Sequence, residues 1–119
     1  MGEFVMQKQK NGFSFRLLAT NGETIATSEL YSSENACQRG MDSVCANADA
    51  PLEDLTLEET GVPNPKFQLY QDKRGQFRFR LKARNGRIIA TSQPYRSKEA
   101  CLEGIESVRH NIPTMEVIP

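Results

Sequence analysis

The sequence predicts an α+β domain made of two tandem β-β-β-α repeats that form one six-stranded antiparallel sheet with two helices on one face. Three observations predict it. The segment 13–28 recurs at 77–92, with an offset of 64 residues. Of the 35 positions from 13 to 47, 19 are identical to their counterparts in the second copy. In each copy, runs with a period of two are followed by a run with the apolar spacing of a helix.

The repeat organises all 119 residues into a single pseudo-twofold domain. We predict repeat 1 at residues 4–48, an acidic linker at 49–66, repeat 2 at 67–112 and a mobile tail at 113–119. Gln76 is one extra residue before the second strand of repeat 2. A unit of about 45 residues is too small to bury a sufficient core alone, so we expect the two units to share one core and to form a monomer with an internal pseudo-dimer.

Each repeat contains three predicted strands. In repeat 2, residues 67–71 alternate between apolar and polar side chains, residues 77–83 alternate between apolar side chains and cations, and residues 87–92 form the third strand. The pairs Asn21-Gly22 and Asn85-Gly86 predict two-residue hairpin turns of type I′, because that turn needs positive φ at both central positions.

A helix follows the third strand of each repeat. The spacing of apolar residues predicts helices at about 33–47 and 97–111, which Ser33 and Ser97 cap at their N-termini. The apolar face of each helix is expected to pack on the sheet. The predicted core consists of Phe13, Phe15, Leu17, Val44, Phe77, Phe79, Leu81, Ile105 and Val108.

Each predicted helix contains a glycine at an equivalent position, Gly40 and Gly104. A glycine inside a helix costs about 1 kcal/mol relative to alanine. The two glycines therefore indicate that the helix backbone comes close to the sheet or to the other helix at these points.

The sequence contains no constellation of catalytic or metal-binding residues. The three cysteines form no Cys-x-x-Cys motif. Cys37 and Cys101 fall on the apolar helix faces and are predicted as core residues, with Cys45 at the edge of that face. His110, the one histidine, lies near the end of the second helix. We therefore expect no enzyme activity, no catalytic residue, no cofactor and no metal.

Sequence features also predict where the protein is found. No apolar run approaches the ~20 residues that span a bilayer, and the first residues lack the pattern of a signal peptide. An odd number of cysteines without a disulfide framework is typical of a reducing compartment. The sequence therefore predicts a cytoplasmic protein without a membrane partner.

Positive charge is concentrated in repeat 2, although 15 basic and 15 acidic residues balance over the whole chain. Residues 67–98 contain nine cations and a single acid, Asp72. Strand alternation places four of the cations on the sheet face opposite the core, with successive side chains roughly 6.6 Å apart, close to the phosphate spacing of a nucleic-acid strand. These four residues, the basic stripe, are Arg78, Arg80, Lys82 and Arg84.

The candidate anion-binding residues are the basic stripe and its neighbours Arg16, Tyr70 and Arg87. In this hypothesis the protein is a non-enzymatic binding or accessory module for nucleic acid or an acidic protein segment, and Tyr70 offers a stacking surface for bases. The same cations are also typical of a solvated sheet face. An alternative is a structural protein that self-associates through its edge strands or its apolar tail. The tail residues concerned are Met115, Val117 and Ile118.

The acidic linker shows the signals of a short helix. Asp49 is a candidate N-cap, Pro51 falls in the first turn and Gly61 is a stop signal. If this helix folds against the basic stripe, its carboxylates neutralise the cations within the molecule, and an external anion must displace them. The four acids concerned are Glu53, Asp54, Glu58 and Glu59.

Three motifs carry a resemblance to a known family. They are Phe77-Arg-Phe-Arg-Leu-Lys-Ala-Arg-Asn-Gly, Ile-Ile-Ala-Thr-Ser-x-x-Tyr and Ser-Lys-x-x-Cys-x-x-Gly-Ile-x-Ser-Val-Arg. With them the chain resembles the YegP-like family of small bacterial proteins. The resemblance implies β3-α units that form one sheet with exchanged C-terminal helices. It implies no ligand and no catalytic residue, because the function of that family is not established.

Overall fold

The computed structural model describes residues 2–57 and 61–112. The elements are β1 (Glu3–Gln9), β2 (Gly12–Leu18), β3 (Thr24–Thr27), α1 (Glu34–Ala46), β4 (Leu52–Asp54), β5 (Lys66–Gln71), β6 (Phe77–Lys82), β7 (Ile88–Ser92) and α2 (Lys98–Asn111). The strands form one sheet in the order β1-β2-β3-β7-β6-β5-β4. The predicted tail at 113–119 and the linker acids Glu58 and Glu59 lie outside the described residues.

The sheet has seven strands where the sequence predicted six. The additional strand, β4, belongs to the predicted linker and pairs with β5 in parallel, so the sheet is not wholly antiparallel. The predicted acidic helix is wrong for this stretch. The carbonyl of Pro51 accepts from the N–H of Phe67, and the N–H of Leu55 donates to the carbonyl of Leu69. The linker therefore satisfies backbone groups along an edge of β5 that a helix would leave unpaired.

Both helices pack on the same face of the sheet. α1 contacts β2 and β7, whereas α2 contacts β6, β3 and β5, so each helix packs on strands of both repeats. This arrangement provides the shared core that the small size of each repeat requires. The opposite face, called the open face below, carries no helix in the described part of the chain.

The core lies between the sheet and the helices. Seven of the nine predicted core residues are buried: Phe15, Leu17, Val44, Phe79, Leu81, Ile105 and Val108. The other two, Phe13 and Phe77, are only partly buried and pack against the core at its rim. β5 adds Phe67 and Leu69, which are fully buried.

Both helix caps are confirmed. α1 and α2 begin one residue after Ser33 and Ser97, and the hydroxyl of each serine accepts a hydrogen bond of 3.1 Å from the N–H three residues later. These bonds satisfy a backbone donor that the first turn of a helix leaves free. Neither α1 nor α2, the helices of the described residues, has the length and the apolar character of a membrane-spanning segment.

The helix glycines lie at close approaches, as predicted, but the neighbour is a tyrosine. A Cβ at Gly40 would lie 2.7 Å from Cζ of Tyr31, and a Cβ at Gly104 would lie 2.8 Å from Cζ of Tyr95. Each tyrosine follows the third strand of its repeat and packs beneath the helix of the same repeat. A side chain at either glycine would therefore displace a phenol ring.

The two Asn-Gly hairpins are not type I′ turns. Gly22 and Gly86 have φ of 86° and 85°, but no non-glycine residue in the described part of the chain has a positive φ. In the second hairpin the N–H of Gly86 donates to the carbonyl of Ala83, and the N–H of Ala83 donates to the carbonyl of Arg87. This pattern is a three-residue loop with glycine in the left-handed region. Arg84 consequently lies in the loop, beyond the end of β6.

Candidate functional site

One row of side chains crosses the open face. Arg16 lies opposite Thr27, and Thr27 lies opposite its counterpart Thr91. Thr91 in turn lies opposite Arg80. Because neighbouring strands are roughly 4.8 Å apart, the Cα atoms of the two arginines are separated by roughly 14 Å. The two repeats thus place one arginine on each side of two central threonines.

Arg80 is held by its neighbours on β5. Its Nε donates to Oε1 of Gln68 at 2.8 Å, and its Cζ lies 4.6 Å from the centroid of the Tyr70 ring. A guanidinium over an aromatic ring is attracted by the negative face of the ring. These contacts fix the side chain through Nε, and the terminal nitrogens of Arg80 have no hydrogen-bond partner among the described residues.

Arg16 and Arg78 each carry an unsatisfied nitrogen. Both Nε atoms are buried and have no hydrogen-bond partner in the part of the chain that the structure describes. Nη1 of Arg16 donates to Oγ1 of Thr24 at 3.3 Å, and Nη2 of Arg78 donates to the carbonyl of Ser92 at 3.0 Å. A buried donor without an acceptor costs about 1–3 kcal/mol. Because both Nε atoms are buried, a bound partner would contact these arginines through the Nη nitrogen that has no hydrogen bond among the described residues.

Five of the seven candidate anion-binding residues lie on the open face. The register places Arg16, Tyr70, Arg78, Arg80 and Lys82 there. Arg84 lies in the hairpin loop because β6 ends before it. Arg87 lies beyond that loop and lines a cleft against α1, on the helix side of the sheet. The four cations that remain on the open face, called the open-face cations below, are Arg16, Arg78, Arg80 and Lys82.

The open-face cations have no carboxylate partner within the described ranges. The ion pairs found there join Lys66 to Glu53, Lys98 to Asp54 and Arg109 to Glu106. The open face therefore retains positive charge that the other described residues do not neutralise, although the chain as a whole has no net charge.

Glu53 is bound to the sheet edge. It is 3% exposed, and its carboxylate accepts from four donors. They are Nε2 of Gln68 at 2.7 Å, Nζ of Lys66 at 3.0 Å and the N–H groups of Gly61 and Val62 at 3.1 and 3.0 Å. The hydrogen bond from Gln68, followed by that from Lys66, lowers the pKa of Glu53 to about 2. Glu53 is therefore ionised at neutral pH, and it is linked to Arg80 through Gln68 without a direct ion pair.

Asp54 points its charge away from the open face. It pairs with Lys98 on α2 and accepts hydrogen bonds from the N–H and the hydroxyl of Thr56. Burial raises the pKa of Asp54, but the hydrogen bonds from Lys98 and Thr56 outweigh burial and hold it below its usual value. The hypothesis that the linker neutralises the basic stripe is thus wrong for Glu53 and Asp54, the two of its four acids that the structure describes.

We expect the free energy of unfolding to decrease as the pH is lowered from about 4.5 to about 2. The pKa of Glu53 is about 2 in the folded protein, against an ordinary value of 4.5. Because the folded pKa is the lower one, the stabilisation is complete above the unfolded pKa and is lost as the pH falls through the folded pKa. Urea unfolding across this range measures the effect. In Glu53→Gln this part of the pH dependence should disappear, and an unchanged pH profile in that variant would contradict the assignment.

The sequence analysis missed the polar support of the open-face arginines. Gln68 links Glu53 to Arg80 by hydrogen bonds to both. In repeat 1 the equivalent position opposite Arg16 is Val5, which cannot accept a hydrogen bond with its side chain. This difference explains why Nε of Arg16 is unsatisfied. The signal was present in the alternation of β5, which places Gln68 on the same face as the cations.

The cysteines and the histidine occupy the predicted positions. Cys37 and Cys101 are fully buried in the core, and Cys45 is half-buried. Burial raises the pKa of Cys101 to about 11, so its thiol is protonated at neutral pH and is a poor nucleophile. His110 is exposed near the end of α2, with Nε2 3.9 Å from Glu106. Among the described residues, no group of three or more His, Cys, Asp or Glu side chains could hold a metal ion.

The fold and the open face together define a class: a small α+β protein with an internal twofold repeat and one cationic sheet face. The chain belongs to the YegP-like family, also called UPF0339, a family of unknown function. The family model described as "Domain of unknown function (DUF1508)" matches residues 9–54 and 72–118, one segment in each repeat.

Relatives of two lengths are similar to this chain. UPF0339 protein YegP of Escherichia coli is 38% identical over 114 residues, which cover 92% of this chain and 89% of that protein. Its solution NMR structure has a TM-score of 0.76 and 36% identity, and covers 94% of this chain and 86% of that chain. A UPF0339 protein of Methanosarcina acetivorans is 55% identical over 53 residues, which cover 44% of this chain but 91% of that protein. A protein of that length corresponds to one repeat.

Proposed function

We propose that the protein is a non-enzymatic binding module whose open face binds the phosphates of single-stranded nucleic acid. The observation that best supports the proposal is that the four open-face cations have no carboxylate partner among the described residues. Phosphate oxygens are strong acceptors for guanidinium groups, which can bind them through two parallel hydrogen bonds.

The form of the open face favours a single strand over an acidic peptide. The open face is an extended sheet surface. Tyr70 on β5 lies beside the arginine row and is only half-buried. Open sheets bind single-stranded bases by stacking them on aromatic side chains and by pairing the backbone with cations. An acidic peptide would use the cations and would involve the ring of Tyr70 only indirectly, through the Arg80 guanidinium that lies over it.

Fluorescence anisotropy with a labelled random-sequence DNA strand tests the proposal. The open-face variant is Arg78→Gln/Arg80→Gln, and the matched control is Lys73→Gln/Arg74→Gln, which removes the same charge from two exposed residues of the β5–β6 loop. We expect the open-face variant to weaken binding about tenfold or more and the control about twofold at most. Binding to three or four phosphates should also give a slope of about −2 to −3 in a plot of log K against log salt concentration.

Three outcomes would contradict the proposal or change the partner. Equal losses in the two variants would show that only net charge matters. No binding by the wild type at about 50 mM salt would leave the open-face cations as a solvated face. Tighter binding of poly-glutamate than of the DNA strand, with equal losses for both in Tyr70→Ala, would favour an acidic protein segment instead.

A second candidate function is self-association through β1. This strand of seven residues pairs only with β2, so its outer edge has no strand partner within the described residues. An exposed edge presents unpaired backbone groups to another chain. Light scattering distinguishes this candidate, because edge pairing raises the mass with protein concentration and depends weakly on salt. A constant monomer mass would contradict it.

A further inference from the structure

A cleft of about 260 Å³ lies on the helix side of the sheet, between α1 and the β6–β7 hairpin. Both repeats build it, because the helix belongs to repeat 1 and the hairpin to repeat 2. Arg39 on α1 and Arg87 on the hairpin both line the cleft. Ala36 and Ile89 form an apolar part of its wall. It is separate from the open face, which is on the other side of the sheet.

The polar groups of the cleft suit an anion. Neither Arg39 nor Arg87 takes part in an ion pair within the described ranges. The phenol of Tyr31 also lines the cleft, and its hydroxyl has no hydrogen-bond partner among the described residues. The phenol occupies the space next to Gly40, where a residue with a Cβ would clash with it. One carboxylate, that of Glu29, lines the cleft as well, so the three charged side chains together carry a net charge of +1.

Burial, followed by Cys37 and Glu29, raises the pKa of Tyr31, while Arg87 lowers it. The phenol is therefore protonated at neutral pH and can donate a hydrogen bond. The effect of Arg87 also shows that its charge acts within the cleft, on a tyrosine of the other repeat.

The pseudo-twofold repeat provides an internal comparison. At the equivalent positions, 64 residues away, Arg39 corresponds to Glu103 and Arg87 corresponds to Glu23. Burial raises the pKa of Tyr95, the counterpart of Tyr31, and Glu23 adds to that rise. Glu23 thus acts on the tyrosine of the other repeat, as Arg87 does. The same backbone arrangement therefore carries two cations in one half of the molecule and two acids in the other.

We propose that the cleft between α1 and the β6–β7 hairpin binds a small organic anion. Its terminal carboxylate or phosphate lies between Arg39 and Arg87 and accepts from the hydroxyl of Tyr31, and its apolar part packs on Ala36 and Ile89. Guanidinium groups bind both kinds of oxyanion through paired hydrogen bonds. The volume fits a ligand with a single small ring and excludes a polymer from the interior of the cleft.

A titration of the full chain with phenyl phosphate, followed by ¹H–¹⁵N NMR, tests the proposal. We expect saturable shifts at the amides of Gly40 and Ile89, with a Kd of about 1 mM or below. Arg39→Gln and Arg87→Gln should each weaken binding about tenfold, whereas the control Arg96→Gln, the same charge change at an exposed residue, should weaken it about twofold at most. Benzoate should bind in the same place, and benzyl alcohol, which has no charge, about tenfold more weakly.

The equivalent positions of the other repeat allow a gain-of-function test of the cleft. Glu23→Arg/Glu103→Arg changes two exposed residues and should create a second set of saturable shifts around Gly104. Shifts confined to the open-face amides of Thr27 and Thr91 would overturn the cleft proposal while supporting the open face as an anion-binding surface. An equal loss in Arg96→Gln, or the absence of saturable shifts up to about 20 mM phenyl phosphate, would also overturn it.

Discussion

Phe79→Ala is expected to lower the free energy of unfolding by about 3–5 kcal/mol. Phe79 is fully buried. The centroid of its ring lies 6.0 Å from that of the Phe67 ring and 6.4 Å from that of the Tyr95 ring. On the helix side it faces Gly104, which has no side chain that could fill the space left by the ring. The cost is therefore the lost burial of the ring plus a cavity between the sheet and α2, which the surroundings can close only in part.

Urea unfolding of wild type and variant measures this cost. A matched control is Leu30→Ala, since Leu30 is a large apolar residue that is 48% exposed, and its loss should change the free energy of unfolding by about 0.5 kcal/mol or less. Phe15→Ala, the equivalent change in repeat 1, should approach the cost of Phe79→Ala because Phe15 is 1% exposed and stacks on Tyr31 in the same way. A loss below about 1 kcal/mol for Phe79→Ala would contradict the shared core.

The elements that could be predicted from the sequence are those whose signals are local and repeated. Both helices and their serine caps follow from apolar spacing and capping chemistry, and the second copy repeats each signal. β4 could not be predicted in this way, because three residues are too short to show alternation. Leu52–Asp54 becomes a strand through hydrogen bonds with β5, whose first residue lies 12 positions further along the chain. Such nonlocal pairing leaves no periodic signal in the sequence.

The conformation of the hairpin loops could not be predicted from the sequence for a different reason. An Asn-Gly pair is compatible with more than one loop, and the register of the flanking strands decides between them. β6 and β7 are offset by an irregularity at Leu81/Lys82, and the loop accordingly has three residues. Alternation was therefore reliable only as far as Lys82. Arg84 and Arg87 lie beyond this point, so alternation did not predict their positions: Arg84 lies in the loop, and Arg87 lines the cleft against α1.

Arg109→Ala is expected to lower the free energy of unfolding by about 2–4 kcal/mol. Arg109 stands where repeat 1 has Cys45. Its Nη2 donates to the carbonyl of Ala50 at 2.8 Å and its Nε to the carbonyl of Ala48 at 3.3 Å, while its Cζ lies 5.3 Å from the centroid of the Phe67 ring. The Arg109 side chain thus connects the start of the linker with α2 and with β5. Its removal leaves the carbonyls of Ala48 and Ala50 without the guanidinium as a donor.

Urea unfolding and hydrogen exchange measure the two parts of this effect. Arg96→Ala is the control, because Arg96 is exposed and should change the free energy of unfolding by about 0.5 kcal/mol or less. In Arg109→Ala the amide of Leu55, which donates to Leu69 across the β4–β5 pair, should exchange faster than the amides of β6. Unchanged protection of Leu55 would show that β4 is held independently of Arg109.

The same variant tests whether the edge of the sheet supports the open face. Arg109 positions the chain that enters β4, Glu53 on β4 accepts from Gln68, and Gln68 accepts from Nε of Arg80. If β4 loosens, Arg80 loses the partner that orients it, and anion binding at the open face should weaken although no open-face residue has been changed. Repeat 1 has Cys45 in place of Arg109 and Val5 in place of Gln68, so Nε of Arg16 has no acceptor among the described residues. The two halves of a nearly symmetric fold are therefore expected to contribute unequally to binding, with repeat 2 providing the better oriented arginine.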